Sequence, residues 1–176
     1  MALKSEKVVI APIGVIESVH VEADKTPIQP VFARGVKGRA VVFPEYAEEL
    51  DGIEEFTHII LIYHFHQAGP SALTVRPFLE DVEKGVFATR HPKRPSGLGL
   101  SMVRLTAREG NVLLLEDVDI LDGTPLLDIK PWVAKFDRPF DAGSGWVDNV
   151  DEQTMKQRGR RNFAGNGGNS DSGEKS

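Results

Sequence analysis

Short apolar segments broken by Gly, Pro and Asp run along this chain, and their lengths are those of strands. Val8–Ile16, Arg39–Phe43, Thr57–Phe65, Leu98–Ala107, Val112–Leu115, Val118–Leu121 and Leu126–Lys130 are each rich in aliphatic or β-branched residues and bounded by turn formers. Alternation is plain in Leu98–Ala107, where Val103, Leu105 and Ala107 share one face and Arg104, Thr106 and Arg108 the other. Thr57–Phe65 is apolar on both faces, which predicts a central strand. Glu109-Gly110-Asn111 supplies the chemistry of a hairpin turn. Against this background Pro44–Leu50 predicts a short helix, with proline at its start, acids in its first turn and Gly52 just beyond its end. No strand–helix–strand rhythm repeats. The predicted fold is mainly β: a single, mostly antiparallel sheet curled into a β-barrel with a few short helices.

A chain of 176 residues, 40% hydrophobic, is long enough for one real core. That core is assigned to residues 1–150. Residues 151–176 are basic at Arg158-Gly159-Arg160-Arg161 and then rich in Gly, Asn and Ser, a composition that predicts a disordered tail. The longest clear apolar run, Ile59–Tyr63, is far short of the ~20 residues of a membrane span, and the N-terminus lacks a signal-peptide core. No membrane association is expected, and the predicted location is cytoplasmic. The absence of cysteine excludes disulfides, thiolate nucleophiles and Cys-based metal sites. A net charge of −5 argues against broad coating of nucleic acid, so any phosphate contact must come from a local basic patch.

Such a patch lies in Phe87–Ser101, where Arg90, His91, Lys93 and Arg94 are held between Pro92, Pro95, Gly97 and Gly99. Each proline fixes its own φ and drives the preceding residue into extended backbone, so the cations sit on a stiff loop. Other tempting motifs fail on spacing. Asp117-Val118-Asp119-Ile120-Leu121-Asp122-Gly123 has apolar residues between its acids and no closing Glu, unlike a calcium loop. Gly97-Leu98-Gly99 lacks the third glycine and following helix of a dinucleotide fingerprint, and there is no Gly-Lys-Ser/Thr of a P-loop. His58, His64 and His66 share parity on the central strand, yet no carboxylate stands at ligand spacing, and no metal is expected. His66-Gln67, at the strand's exit into Ala68-Gly69-Pro70, are better placed to reach a cavity mouth. Asp122-Gly123-Thr124-Pro125 predicts a turn that offers amides and a hydroxyl, followed by Asp128 and Lys130 on one strand face and Trp132, which suits stacking on a flat ring.

In this order Pro12–Ser18, Phe56–Gln67, Val86–Arg90 with Arg94-Pro95 and Gly99–Ser101, and Asp122–Pro125 with Asp128–Pro131 resemble the TrmO (TsaA-like, YaeB-like) family, over roughly Val8 to Asp141. The resemblance implies a β-barrel that binds S-adenosylmethionine (SAM), a homodimer, and methyl transfer to N6 of threonylcarbamoyl-modified adenosine beside the tRNA anticodon. It further implies SAM contacts at Gln29, Pro30, Val31, Phe32, His66, Gln67, Arg90, Gly99, Leu100 and the Asp122, Gly123, Thr124, Pro125, Leu126 turn. Arg90 would pair with the SAM carboxylate, as suits a guanidinium fork. His91, Lys93, Arg94 and Lys130 would face the tRNA. Asp128 and His66 are the candidate proton acceptors, although an amine that loses its proton after methyl transfer needs no dedicated base.

The chain departs from the family pattern where Ser-Pro-x-Arg-Pro-Asn-Pro-Ile-Gly is expected: it has His91-Pro92-Lys93-Arg94-Pro95-Ser96-Gly97-Leu98-Gly99, and Trp132 where Tyr is usual. These changes fall on the expected substrate side. The alternative reading is a SAM-binding or small-ligand module without transferase activity.

Overall fold

The computed structural model describes residues 7–138 and 141–159. Strands β1 (Gly14–Ser18), β2 (Lys37–Val42), β3 (His58–His64), β6 (Leu98–Glu109), β7 (Val112–Glu116) and β8 (Thr124–Pro131) form a closed barrel in the order β1-β2-β7-β6-β3-β8. Every pairing is antiparallel, and a two-stranded ribbon of β4 (Thr74–Val75) and β5 (Lys84–Gly85) stands beside it. The mainly β barrel expected from the hydrophobic pattern is thus the fold observed.

Inward side chains come from every barrel strand: Ile16, Ala40, Val42, Ile59, Leu61, Tyr63, Val103, Leu105, Leu113, Leu115 and Leu126 are all buried. β3 is central, flanked by β6 and β8. Its outward residues Ile60 and Ile62 are half-buried, which explains why both of its faces read as apolar. Pro44–Leu50 folds as a 3-10 helix, with Leu50 in the core and Tyr46 packed against it.

Two bulges change the alternation read from sequence. The β6–β7 register shifts between Leu105 and Ala107, so Ala107 is exposed and Arg108 turns back toward the protein. Its guanidinium donates to Ala47 O, Asp51 and Glu54, and its side chain is only 16% exposed. A second shift lies where Ile62 pairs with Asp128 and Tyr63 with Leu126, leaving Leu127 as the extra residue. Such bulges bend and twist a strand, as closure requires.

Two expectations are corrected. Val118–Leu121 is not a strand: Val118, Asp119 and Ile120 form a buried loop that plugs one barrel end. Residues 151–159 belong to the folded body rather than a tail. Helix α2 (Glu152–Arg158), which follows the single-turn helix α1 (Ala134–Asp137), is capped by the Asp151 carboxylate, which accepts from Thr154 N–H. Arg158 grips Asp81 in a bidentate pair at 3.0 Å, which holds the Asp81 carboxyl below its usual range. Ile28 N–H also donates to Gly159 O at 3.0 Å. Residues 160–176, including Arg160 and Arg161, lie outside the described residues.

Candidate functional site

At the plugged end of the barrel, β3 leaves, β6 begins and the Asp122-Gly123 turn leads into β8. A cleft of about 250 Å³ opens there. Its floor is aromatic and aliphatic, with Tyr63 and Phe65 edge-to-face at 5.3 Å beside Ile120 and Leu121. Its rim carries His66, Gln67, His91, Lys93 and Asp24. Apolar walls with a few convergent polar groups are what a small-molecule site offers.

Tyr63 is fixed from below. Its hydroxyl shares a hydrogen bond of 3.1 Å with Ser101, and Gly99, its register partner on β6, lies under the ring. A Cβ at Gly99 would stand 2.2 Å from Tyr63 Cε2. Gly99 therefore shapes the cleft through Tyr63 and is itself buried.

The basic loop is held by hydrogen bonds of its own, and its cations divide differently than expected. Arg94 donates to Thr89 O at 2.7 Å and Val86 O at 3.2 Å, and its guanidinium lies over Phe87. It therefore braces the loop instead of reaching outward. Arg90 donates to Gln29 Oε1 at 2.5 Å, which joins two of the expected SAM contacts across 61 positions. His91 stacks on Phe78 with centroids 5.3 Å apart and planes 10° from parallel. Lys93 is exposed and borders the cleft.

Of the remaining expected contacts, His66, Gln67 and Thr124 line the cleft. The Gln67 amide lies 3.2 Å from His66 Nε2. The turn does not present free amides, however. Asp122 N–H donates to His20 O, Gly123 N–H to Ile16 O, and the Thr124 hydroxyl to Leu121 O. Leu126 is wholly buried in the core, Pro125 pairs with Val15, and Leu100 points away from the barrel. Pro30–Phe32 form one 3-10 turn after Gln29, with Val31 exposed and Phe32 against Gly159.

Asp128 and Lys130 share the outer face of β8, as their alternation predicts, and pair with each other at 2.8 Å. They do not line the cleft, so His66 is the proton-acceptor candidate that the structure brings to it. Trp132 sits at the opposite end of β3, edge-on to His58 at 6.2 Å, and is not near the polar turn. His66 escapes the common face of His58 and His64 because β3 ends at His64, where His66 N–H donates back to His64 O. Among the described residues, no group of three or more His, Cys, Asp or Glu is arranged to hold a metal ion. No described helix is long and apolar enough to cross a membrane.

A larger groove, about 740 Å³, crosses the outer wall of β1, β2 and β7. Asp122 reaches it, but its Glu17 and Arg39 are paired with each other and no other expected contact residue lines it. The smaller cleft gathers His66, Gln67 and Thr124 of the expected SAM contacts with His91 and Lys93 of the basic loop.

Residues 15–138 match the tRNA-methyltransferase O N-terminal domain family. The chain belongs to the TrmO family. A Pyrococcus abyssi relative, called a probable S-adenosyl-L-methionine-binding protein, is 50% identical over 147 residues, covering 84% of this chain and 80% of that one. The mouse tRNA (adenine(37)-N6)-methyltransferase is 37% identical over 145 residues, which cover 78% of this chain and 34% of the mouse protein. A crystal structure of TrmO from Pseudomonas aeruginosa superposes with a TM-score of 0.68 at 38% identity, covering 80% of this chain and 63% of that one. Beside the longer TrmO proteins, this chain therefore spans about a third to two thirds of the relative's length.

Against the TrmO pattern, Gly97 stands where proline is expected and has φ of +60°, a value closed to proline. A Cβ there would lie 3.1 Å from His64 Nε2, and Gly97 O accepts from Phe65 N–H at 2.7 Å. The departure thus has its own local solution. Sequence reasoning missed Asp24, Tyr63, Phe65 and Phe78 as cleft residues. Tyr63 had a signal in its inward parity on a central strand, whereas Phe78 arrives on a turn and Asp24 on a single 3-10 turn, without one.

Proposed function

We propose that this chain is a cytoplasmic, SAM-dependent methyltransferase that modifies N6 of threonylcarbamoyl-adenosine beside the tRNA anticodon. The observation that carries the reading is the convergence of the β3 exit, the β8 turn and the basic loop on one cleft in a TrmO-family barrel. The residues fit the cofactor: an aromatic floor for a flat ring, and for a carboxylate the guanidinium of Arg90, the residue that precedes His91 of the rim, held by Gln29. When bound, SAM supplies an electrophilic methyl group on its sulfonium. Tyr63 and Phe65 exclude water from the floor, while His66 and Gln67 orient ligand polar atoms at the rim. Arg90 would hold one end of the cofactor, and these residues would together align the target amine with the methyl group, the positioning that supplies most of the rate. His66 would accept the proton that the amine releases.

Homodimerisation is part of the proposal. Leu98, Leu100 and Met102 are 38%, 51% and 42% exposed on the outer face of β6, next to Ile60 and Ile62 of β3, a continuous apolar strip suited to a second copy. A second reading, SAM binding without transfer, draws on the name of the Pyrococcus relative.

Calorimetry with SAM and nucleoside mass spectrometry of tRNA incubated with protein and SAM test the proposal. A new methyl on threonylcarbamoyl-adenosine is expected. SAM binding with unmodified tRNA would leave the binding module, and a monomer in sedimentation would remove the dimer. Arg90→Ala is expected to weaken SAM about 10–100-fold, the loss of a charge-assisted contact. Lys93→Ala should spare SAM, weaken tRNA and lower the salt slope by about one. Equal loss of SAM affinity in both variants would break this division of roles.

A further inference from the structure

We infer that Phe78 and His91 form a stacking platform that takes the target purine of the RNA, so that His91, where the TrmO pattern has Ser, supplies a ring that holds the base in this chain. The inference rests on the tRNA reading above and deepens it. The two rings lie nearly parallel, 10° apart with centroids at 5.3 Å, and both border the cleft together with Pro92 and Lys93. Parallel aromatic surfaces are how proteins hold bases splayed from single-stranded loops.

The platform is built to stay in place. His91 N–H donates to the Thr89 hydroxyl at 3.2 Å, and Lys93 N–H donates to His91 Nδ1 at 3.2 Å. The second contact makes Nδ1 an acceptor and so fixes the orientation of the ring. Arg94, bound to Val86 O and Thr89 O, locks the loop from behind. Two residues along the loop from His91, Lys93 puts an exposed cation where the phosphates of a stacked nucleotide would pass. The platform forms one side of the cleft, beside the Tyr63 and Phe65 floor to which the cofactor is assigned.

The test uses the full chain and an anticodon stem–loop RNA carrying 2-aminopurine at the target adenine. Wild type is expected to quench the fluorescence on binding. His91→Ala and Phe78→Ala should each weaken the RNA about tenfold and remove the quench, with SAM affinity by calorimetry kept within about twofold. His91→Phe should restore the quench, because a ring suffices for stacking. A parallel loss of SAM affinity would place the cofactor's adenine on the platform and overturn the inference. So would an unchanged quench in both alanine variants, or no RNA complex with wild type. If wild type forms the quenched complex yet transfers no methyl, the methyltransferase reading falls and the platform stands. If wild type methylates tRNA and His91→Ala leaves binding and quench intact, the platform alone falls.

Discussion

Gly99→Ala is expected to abolish detectable SAM binding by calorimetry while the barrel still folds, with stability reduced by about 1–3 kcal/mol. The added Cβ would stand 2.2 Å from Cε2 and 2.5 Å from Cζ of Tyr63, distances that force the ring to move. The backbone cannot yield, since Gly99 and Tyr63 are register partners in the β3–β6 ladder at the centre of the sheet. Tyr63 is 4% exposed and hydrogen-bonded to Ser101, and its ring borders the cleft. The ring must swing into the space that the ligand would occupy and break the Ser101 bond as it goes. Gly99→Ala with full SAM affinity and a lowered melting temperature would show that the Tyr63 floor is not part of the SAM site.

The same pair of residues shows how far sequence reaches. Matching to the TrmO pattern marks Gly99 as a SAM contact, but only the register with Tyr63 shows that it acts by what it leaves empty. Strand positions were legible wherever the pleat was regular. They failed at Ala107 and Leu127, because a one-residue bulge inverts alternation without changing composition. Val118–Leu121 has strand composition, yet the preceding Asp117 sits at φ of 65°, with its carboxylate accepting from Gly35 N–H, and the chain turns inward. Arg94 looked like an outward cation because the sequence does not display the carbonyls of Val86 and Thr89 that bind it. The helix at Glu152–Arg158 was hidden by a polar composition, because its contacts to the body, Arg158 with Asp81 and Gly159 O with Ile28 N–H, are made to residues distant in sequence.

Gly14→Ala should have the largest effect on the barrel itself, at or above the ~3 kcal/mol upper range of ordinary overpacking. Here the obstacles are main chain rather than a ring that can rotate: Val41 O at 2.3 Å and Val42 Cα at 2.9 Å from the new Cβ. Gly14 pairs with Val42 on one side and Leu126 on the other, so β1 is the strip between β2 and β8 that closes the cylinder. Parting β1 from β2 would break neighbouring ladder bonds and loosen the Phe43 N–H to Ile13 O link at 2.8 Å. Gly85→Ala is the matched control, since its Cβ meets nothing within 4 Å and its φ of −55° suits alanine. That variant should stay within about 0.5 kcal/mol of wild type. Urea unfolding of the two variants decides the matter, and similar midpoints would mean that β1 accommodates a side chain at the seam. A weakened seam should also reach the site, because Ser18 at the far end of β1 donates to the Asp122 carboxylate and ties down the turn that leads into β8. Gly14→Ala should therefore weaken SAM at temperatures where the barrel is still folded, whereas Gly85→Ala should not.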